Sequence, residues 1–404
     1  MHFSKPLKPW LKQSIARGRQ WLARTTPCAP PDNPFLQARR FTRVTGIALF
    51  AAGILLQAPK VRADDLKFTS QSAPELDALF QSTNGWTGAD GAFSIPLSTN
   101  RTLWLFSDTW VGSVSGGKRH QPVMINNSIA LQQHGSAPEF FYPTNESGRA
   151  ESFVKPAEGP GYFWLFHGVR AASGLYLFLH QVKTVDTKSV WGFRAIGVSI
   201  GFVANPDEPP SRWKMEQTKL PFAEYLEKES ISFGSAVMKE GEYIYVYGNS
   251  ARGLPTERGT IVARVPENKL LDFDAWRFFS NGKWETSFRA ATPIFPDAPS
   301  ESSVWYQPSL KKYVAVYSQG IWGKIVLRTA NSPTGPWDHA RTIYECPEMK
   351  WSPKVFCYAG KGHPELANHP DELIITYAAN SHDFLEVLGD ARLYWPRFFR
   401  VQVK

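Results

Sequence analysis

The segment from Trp86 to Trp110 reads WTGADGAFSIPLSTNRTLWLFSDTW and carries two aspartates, Asp90 and Asp108, on the two arms of one hairpin pattern. A turn centred near Thr99 sets Asp90 opposite Asp108 on one face of the sheet, where directly opposed residues have Cβ atoms roughly 4.5 to 5.5 Å apart. Facing carboxylates repel, and the repulsion raises one of the two pKa values. A general acid beside a base or nucleophile requires that arrangement, and at a glycosidic bond the carboxyl separation would decide between retention and inversion. The other uses of such a pair are to hold a cation between them, or to cap turns, as Asp90 beside Gly91 could.

Further polar residues stand where later apolar strands close: His167, Asn249, Gln319 and Asn380. If those strands are equivalent repeats, their ends converge with the two aspartates on one pocket. Asn127, in the run Asn126-Asn127-Ser128, follows the first hairpin and is a candidate ligand donor. Gly362-His363-Pro364-Glu365 opens a late strand as Asp90 opens the first, which makes His363 and Glu365 candidates for the same pocket. Trp86 and Trp110 flank the acids and offer flat faces for stacking on sugar rings, although most of the tryptophans must serve packing. Arg289, Arg328 and Arg397 lie in apolar or aromatic settings, where an arginine can pair with a buried carboxylate instead of a ligand. Phosphate loops and HExxH are absent from the sequence, which weighs against nucleotide use and zinc proteolysis.

The elements that must position these residues repeat. Strongly apolar, aromatic strands recur as TLWLFSDTW, YFWLFHG, YIYVYGNS, YVAVYSQG and LIITYAANS, with closing aromatics Phe106, Phe166, Tyr247, Tyr317 and Tyr377 at spacings of 60, 81, 70 and 60. Each is followed by further alternating segments. A single hairpin cannot bury its faces, whereas five radially arranged four-stranded sheets can. The expectation is an all-β fold, a five-bladed β-propeller over residues 64–404, with a two-sheet sandwich of duplicated hairpins as the alternative. Helices are expected near Ala73 to Phe80 and Phe222 to Lys228.

Composition sets the remaining bounds. The chain has 404 residues and a formal charge of +9, from 45 Lys and Arg against 36 Asp and Glu. Residues 1–63 hold 11 of those basic residues and one acid, which leaves 34 basic and 35 acidic side chains in the rest. A near-neutral body excludes a binder of phosphate backbones, so no nucleic-acid partner is expected. Val44 to Leu56 is apolar, preceded by Arg39, Arg40 and Arg43 and followed by Val61-Arg62-Ala63. This is the pattern of a secretory signal cut after Ala63, with a single membrane anchor as the other reading of a run shorter than the ~18 to 20 residues of a span. Export to the periplasm or beyond is expected, without membrane attachment after cleavage. Cys28 belongs to the leader, and Cys346 and Cys357 form an even pair that an oxidising compartment would join as a disulfide.

The strings W-T-G-A-D-G-A-F-S-I-P-L, L-W-L-F-S-D-T-W, N-N-S-I-A-L-Q, L-R-T-A-N-S-P-T-G-P-W, H-P-E-L and Y-A-A-N-S together resemble secreted bacterial five-bladed propellers of the domain-of-unknown-function 4185 type. These are similar to endo-D-arabinanases and, more distantly, to glycoside hydrolase families 43, 32, 62 and 117. The resemblance covers residues 75–404 and implies that Asp90 occupies the position of the catalytic acid or base, with Asp108 as the second carboxylate. Family-43-like enzymes bring a further glutamate from the third blade. Here the comparable Phe233-Gly234-Ser235-Ala236 has no acid, and Glu229 lies just upstream. The expected function is an exported glycoside hydrolase acting on a polysaccharide, arabinan-like in the nearest resemblance, without cofactor and as a monomer. A structural Ca²⁺ between the acids, a non-catalytic carbohydrate-binding propeller and a surface scaffold are the competing readings.

Overall fold

The computed structural model describes residues 66–186 and 192–403. The expected leader, with its signal and Cys28, lies outside the described residues. Among those described, no helix is long and apolar enough to cross a membrane.

The fold is all-β. Strand β1 (Phe68–Ser72) and helix α1 (Pro74–Phe80) lead into β2 (Asn84–Ala89), β3 (Phe93–Ser98), β4 (Arg101–Phe106), β5 (Thr109–Ser115), β6 (Lys118–Ile125), β7 (Ser128–Gln133) and β8 (Glu139–Phe141). Of these, β3-β4-β7-β8 make the first of five main sheets and β2-β5-β6 a small additional sheet, while β1 belongs to neither. The second sheet follows as β9 (Tyr162–Ala171), β10 (Gly174–Thr184), β11 (Phe193–Val203) and β12 (Met215–Lys219), each paired with the next. The third runs through β13 (Glu224–Tyr225), β14 (Ser230–Glu240), β15 (Tyr243–Ala251), β16 (Arg258–Pro266), β17 (Arg277–Ser280) and β18 (Lys283–Glu285). The fourth holds β19 (Ser302–Gln307), β20 (Lys312–Ser318), β21 (Lys324–Ala330) and β22 (Arg341–Glu345). The last holds β23 (Val355–Gly362), β24 (Glu372–Ser381) and, after α2 (Phe384–Gly389), β25 (Pro396–Val403), and its outer edge is completed by β1.

The innermost strands touch in sequence order: β3 packs on β9, β9 on β14, β14 on β19, and β19 on β23. Strand β23 returns to β3 where Lys361 Nζ stands 4.4 Å from the centre of the Phe93 ring, flanked by the bond from Tyr358 to Asp90, just before β3, and that between Ser94 and His363, just after β23. The succession therefore closes on itself, and the β1–β25 pairing joins the two ends of the described chain within one sheet. Strands such as β10 and β24 are buried on both faces, because each sheet is covered by the next; their sequences read as continuous apolar runs for that reason.

Three local expectations change. YFWLFHG is β9, the first strand of its sheet, and not the equivalent of β4, β15, β20 and β24; the second strand there is β10, LYLFLHQVK. Both read as apolar, since the half-buried Tyr162 and Trp164 of β9 are aromatic too, so hydrophobicity could not tell them apart. Residues 222–228 form the short strand β13 and a turn instead of a helix. The expected sets of four strands give way to six strands in the third sheet, and the small β2-β5-β6 sheet is added beside the first.

Candidate active site

The first hairpin has the register that the sequence sets: Phe93 pairs with Leu105, Ser94 with Trp104 and Ile95 with Leu103. Beyond the strand ends the pairing continues. The Asp90 N–H donates to the Asp108 carbonyl at 3.2 Å and the Ser107 N–H to the Asp90 carbonyl at 3.1 Å. Two glycines allow this. Gly91 has φ of +86°, and a Cβ there would stand 3.0 Å from the Ser107 nitrogen. Gly88 has φ of +130°, and a Cβ there would stand 2.3 Å from the Tyr394 carbonyl oxygen. That close approach brings Tyr394 to the site.

Asp90 Oδ2 accepts hydrogen bonds from the hydroxyls of Tyr358 on β23 at 2.7 Å and Tyr394 at 3.0 Å. Its Oδ1 is shielded and has no partner. Asp108 Oδ1 accepts from Asn126 Nδ2 at 3.1 Å and from the indole of Trp164 at 2.9 Å. Burial, then the charges of Asp108 and Glu301, push the Asp90 carboxyl up to about 8, against the two tyrosine hydroxyls. Burial pushes Asp108 up to about 6, against its indole and amide donors. Both carboxyls are thus raised above the ordinary aspartate value, Asp90 further than Asp108, and acid–base chemistry uses carboxyls held apart in this way.

Arg119 fixes one side of this arrangement. Its guanidinium, 6% exposed, donates to the carbonyls of Thr87, Val387, Asp390 and Leu393. It ties the strand before Asp90 to the segment that presents Tyr394. The other side carries a half-buried aromatic group: Trp164 is edge-on to Phe193 and Tyr162.

The remaining sequence candidates distribute differently. Asn380 reaches the site at one remove, with its Nδ2 3.4 Å from the Tyr358 hydroxyl. His363 and His167 lie deeper and have no free ring nitrogen. His363 is 1% exposed, bonded to Ser94 Oγ at 2.6 Å and Thr376 Oγ1 at 2.7 Å. His167 accepts from the Val237 N–H at 2.9 Å and bonds the Ser94 carbonyl at 3.2 Å. Burial pushes His167 down to about 4 and His363 well below its ordinary value, so both are neutral. Glu365 adjoins the same serine, and burial raises its pKa. Trp86 is built into the core, stacked on Phe140 with its indole donating to Ser128, and Trp110 is buried against Phe384. Neither offers a face to a ligand. Asn127 is fully buried and spends its amide on the Val154 and Phe163 backbones. Asn249 bonds the Pro299 carbonyl, and Gln319 joins Asp297 on the fourth sheet. Glu229 lines a separate cavity of about 230 Å³ with Glu224, Leu226, Ser230, Arg252 and Arg289.

Cys346 and Cys357 are buried neighbours whose thiols are hydrogen-bonded, and the expected disulfide is not formed: both are free thiols. Among the described residues, no group of three or more His, Cys, Asp or Glu side chains is arranged to hold a metal ion.

Tyr358, Tyr394, Trp164 and Glu301 are the residues that sequence reasoning missed. A tyrosine or tryptophan in an aromatic-rich β chain carries no mark of its role, and only the ring closure brings β23 and the segment before β25 to the first hairpin. Glu301 alone had a signal, as an acid directly before an inner strand, as Asp90 nearly is.

The described fold is thus an all-β succession of packed sheets, with the Asp90 and Asp108 carboxyls at the open end of its first hairpin. The chain belongs to the domain-of-unknown-function family DUF5005, whose model matches residues 74–403. The likeness to the 4185 type and the endo-D-arabinanase activity read from the same strings lie outside what that match shows. Among solved structures, a candidate hydrolase from Bacteroides ovatus shares the fold, with a TM-score of 0.67 at 19% identity over 83% of this chain and 90% of that one. A GH43_1 enzyme from Xanthomonas citri is more distant, with a TM-score of 0.44 at 15% identity over 82% and 93%. An α-L-arabinofuranosidase from Podospora anserina stands at 0.43 and 11% over 81% and 98%. No curated protein matches the chain.

Proposed function

We propose that this protein is an exported glycoside hydrolase built on a five-bladed β-propeller, with Asp90 as general acid and Asp108 as the base or nucleophile. The observation that carries the reading is the Asp90 carboxyl at the open end of the hairpin it shares with Asp108, with two hydroxyls on Oδ2 and no partner on Oδ1, and with burial and the Asp108 charge raising its pKa. A glycosidic oxygen hydrogen-bonded to this carboxyl would receive the proton as its bond to the sugar breaks. The Asp108 carboxylate then either attacks the anomeric carbon or takes a proton from an attacking water. Trp164 and Tyr162, half-buried beside Asp108, supply the flat faces against which a sugar ring can stack. The closed succession of five inner strands supports the propeller. A Ca²⁺ fits the pair poorly, since hydroxyl and indole hydrogens already point at both carboxylates.

The substrate class is a neutral or mildly polar polysaccharide, arabinan-like in the nearest resemblance, met in the periplasm or outside the cell by a monomer. In that compartment the adjoining Cys346 and Cys357 thiols would be oxidised to a disulfide. The test is a glycan panel assayed for new reducing ends. The wild type should cleave at least one member, while Asp90→Asn and Asp108→Asn should each abolish cleavage and retain binding. A wild-type protein that binds glycans and never cleaves them sinks the enzymatic reading and leaves a lectin.

A further inference from the structure

Trp322 is the most exposed large apolar side chain among the described residues, at 74%, and within them no ring, cation or hydrogen-bond partner covers its indole. A single exposed ring on a loose loop would need no explanation. This loop is not loose. Residues 319–323 join β20 to β21, and the Gln319 N–H closes the turn on the Lys324 carbonyl at 2.9 Å. The backbone on both sides of Trp322 is held by the two cysteines: the Ile321 carbonyl accepts the Cys357 N–H at 3.4 Å, and the Gly323 carbonyl accepts the Cys346 N–H at 2.9 Å. Trp322 itself pairs with Cys357 in a parallel bridge. Gly320, with φ of +69°, lets the indole lie back on its own turn, since a Cβ there would stand 3.2 Å from Trp322 Cδ1. The ring therefore has a fixed seat and keeps most of its surface in water.

That seat lies at the same end of the strands as the acids. At the end of β20, Ser318 Oγ accepts the Gly360 N–H at 2.8 Å, and from there the loop follows β23 back towards its start, past Cys357. The next residue on β23 is Tyr358, whose hydroxyl holds Asp90 at 2.7 Å. On the far side of the pair, Asp108 accepts from the indole of Trp164, on the second sheet, at 2.9 Å. The contacts thus run from Trp164 to Asp108, across the hairpin end to Asp90, then to Tyr358 and the loop of Trp322. A half-buried tryptophan from the second sheet and an exposed one from the fourth flank the carboxyls on opposite sides.

We infer that Trp322 is a second sugar-stacking platform, and that the chain of a neutral glycan lies across the acids from Trp164 to Trp322. The C–H face of a sugar ring packs on an indole while its hydroxyls stay in water, and an exposed ring on a pinned loop is built for that contact. A substrate held on both sides of Asp90 and Asp108 is a polymer with sugar units on each side of the bond that is cut, in preference to a terminal unit. The identity of the ligand rests on the proposed function; the place of the platform rests on the loop and its link to Tyr358.

The test uses Asp90→Asn, so that turnover does not interfere. The probes are the soluble polysaccharides of the panel, arabinan first, and oligosaccharides of increasing length cut from the one that binds tightest, all titrated by calorimetry. Affinity should rise with chain length. Adding Trp322→Ala should weaken the polymer and the longest oligosaccharides by about tenfold and the shortest by less than about twofold, whereas Trp322→Tyr, which keeps a flat ring, should stay within about threefold of its parent. A merely structural role would weaken every length alike. In the wild type, N-bromosuccinimide should oxidise Trp322 before the other indoles, and the bound polysaccharide should protect it, a readout that needs no variant to fold. Equal binding by Trp322→Ala at every length, an indole left unprotected under bound polysaccharide, or no binding by any member of the panel overturns the inference. So does a wild-type dimer that Trp322→Ala dissociates with glycan affinity unchanged, which assigns the ring to a second copy of the chain. Length-dependent binding through Trp322 by a wild type that never cleaves retires the proposed hydrolase and leaves the platform; cleavage of a glycan whose affinity ignores Trp322→Ala does the reverse.

Discussion

Asp90 and Asp297 begin from similar surroundings and end with opposite chemistry. Each accepts a tyrosine hydroxyl at 2.7 Å on Oδ2, from Tyr358 and Tyr317 respectively. Asp297 also receives the Arg328 guanidinium at 2.7 Å, and Arg328 in turn bonds Tyr317 at 2.7 Å. Burial pushes Asp297 up, but those hydrogen bonds and the Arg328 charge outweigh it and hold the carboxyl below its ordinary value. Asp90 has no guanidinium against it and has a second carboxyl beside it, so burial wins. The same hydroxyl-capped aspartate is a structural anion where a cation touches it and a proton carrier where none does.

Replacing the acid tests this contrast most strongly. Asp90→Asn should abolish glycan cleavage and, in the same protein, raise the melting temperature at pH 8 by more than at pH 5. The folded chain keeps the Asp90 proton up to about pH 8, whereas an unfolded aspartate loses it near its ordinary value. Folded stability therefore falls as pH rises between those limits, and removal of the group relieves the fall. Asp297 has the opposite sign: its contribution is present above the ordinary value and is lost as pH falls through the lowered one. Calorimetry at both pH values checks the pair, and a melting difference independent of pH would break the contrast.

Arg328→Met comes next. It strands Asp297 and should cost about 2 kcal/mol of stability, discounted for the partial exposure of the carboxylate, with no change in the pH dependence of activity. Denaturant melts and a pH–rate profile read the two quantities separately. That profile for the wild type should be bell-shaped, with limbs near the values of Asp108 and Asp90, about 6 and about 8. Trp164→Phe keeps a ring but removes the indole donor from Asp108, so the acidic limb should move up by about half a unit to one unit. Tyr394→Phe should do least, since Tyr358 still holds Oδ2; the basic limb should rise by a few tenths of a unit, about what one hydroxyl donor contributes.

Much of the positioning was legible in the chain. Alternation in the first hairpin and the turn near Thr99 give the β3–β4 register, and with it the approach of Asp90 to Asp108. Arg328 in an apolar strand pointed to a buried carboxylate, and Asp297 is that partner. Trp86 and Asn127 were not legible as core residues. A tryptophan two residues from a glycine turn and an asparagine in a polar run read as ligand groups until the packing of Phe140 on one and the backbone amides around the other are known. The repeat was misaligned at YFWLFHG because the half-buried positions of β9, Tyr162 and Trp164, are as aromatic as its buried ones, so its sequence reads as apolar as that of a second strand.

The sequence by itself determined most of the strands, one hairpin register and the pair of acids at its open end, because these depend on neighbours within about twenty residues. Only the tertiary structure decided what the acids are. The hydroxyls of Tyr358 and Tyr394 and the charge of Glu301 arrive from more than 190 residues away in the chain. A carboxyl's proton is set by burial and by whichever charges the fold brings within reach, and no local pattern records either.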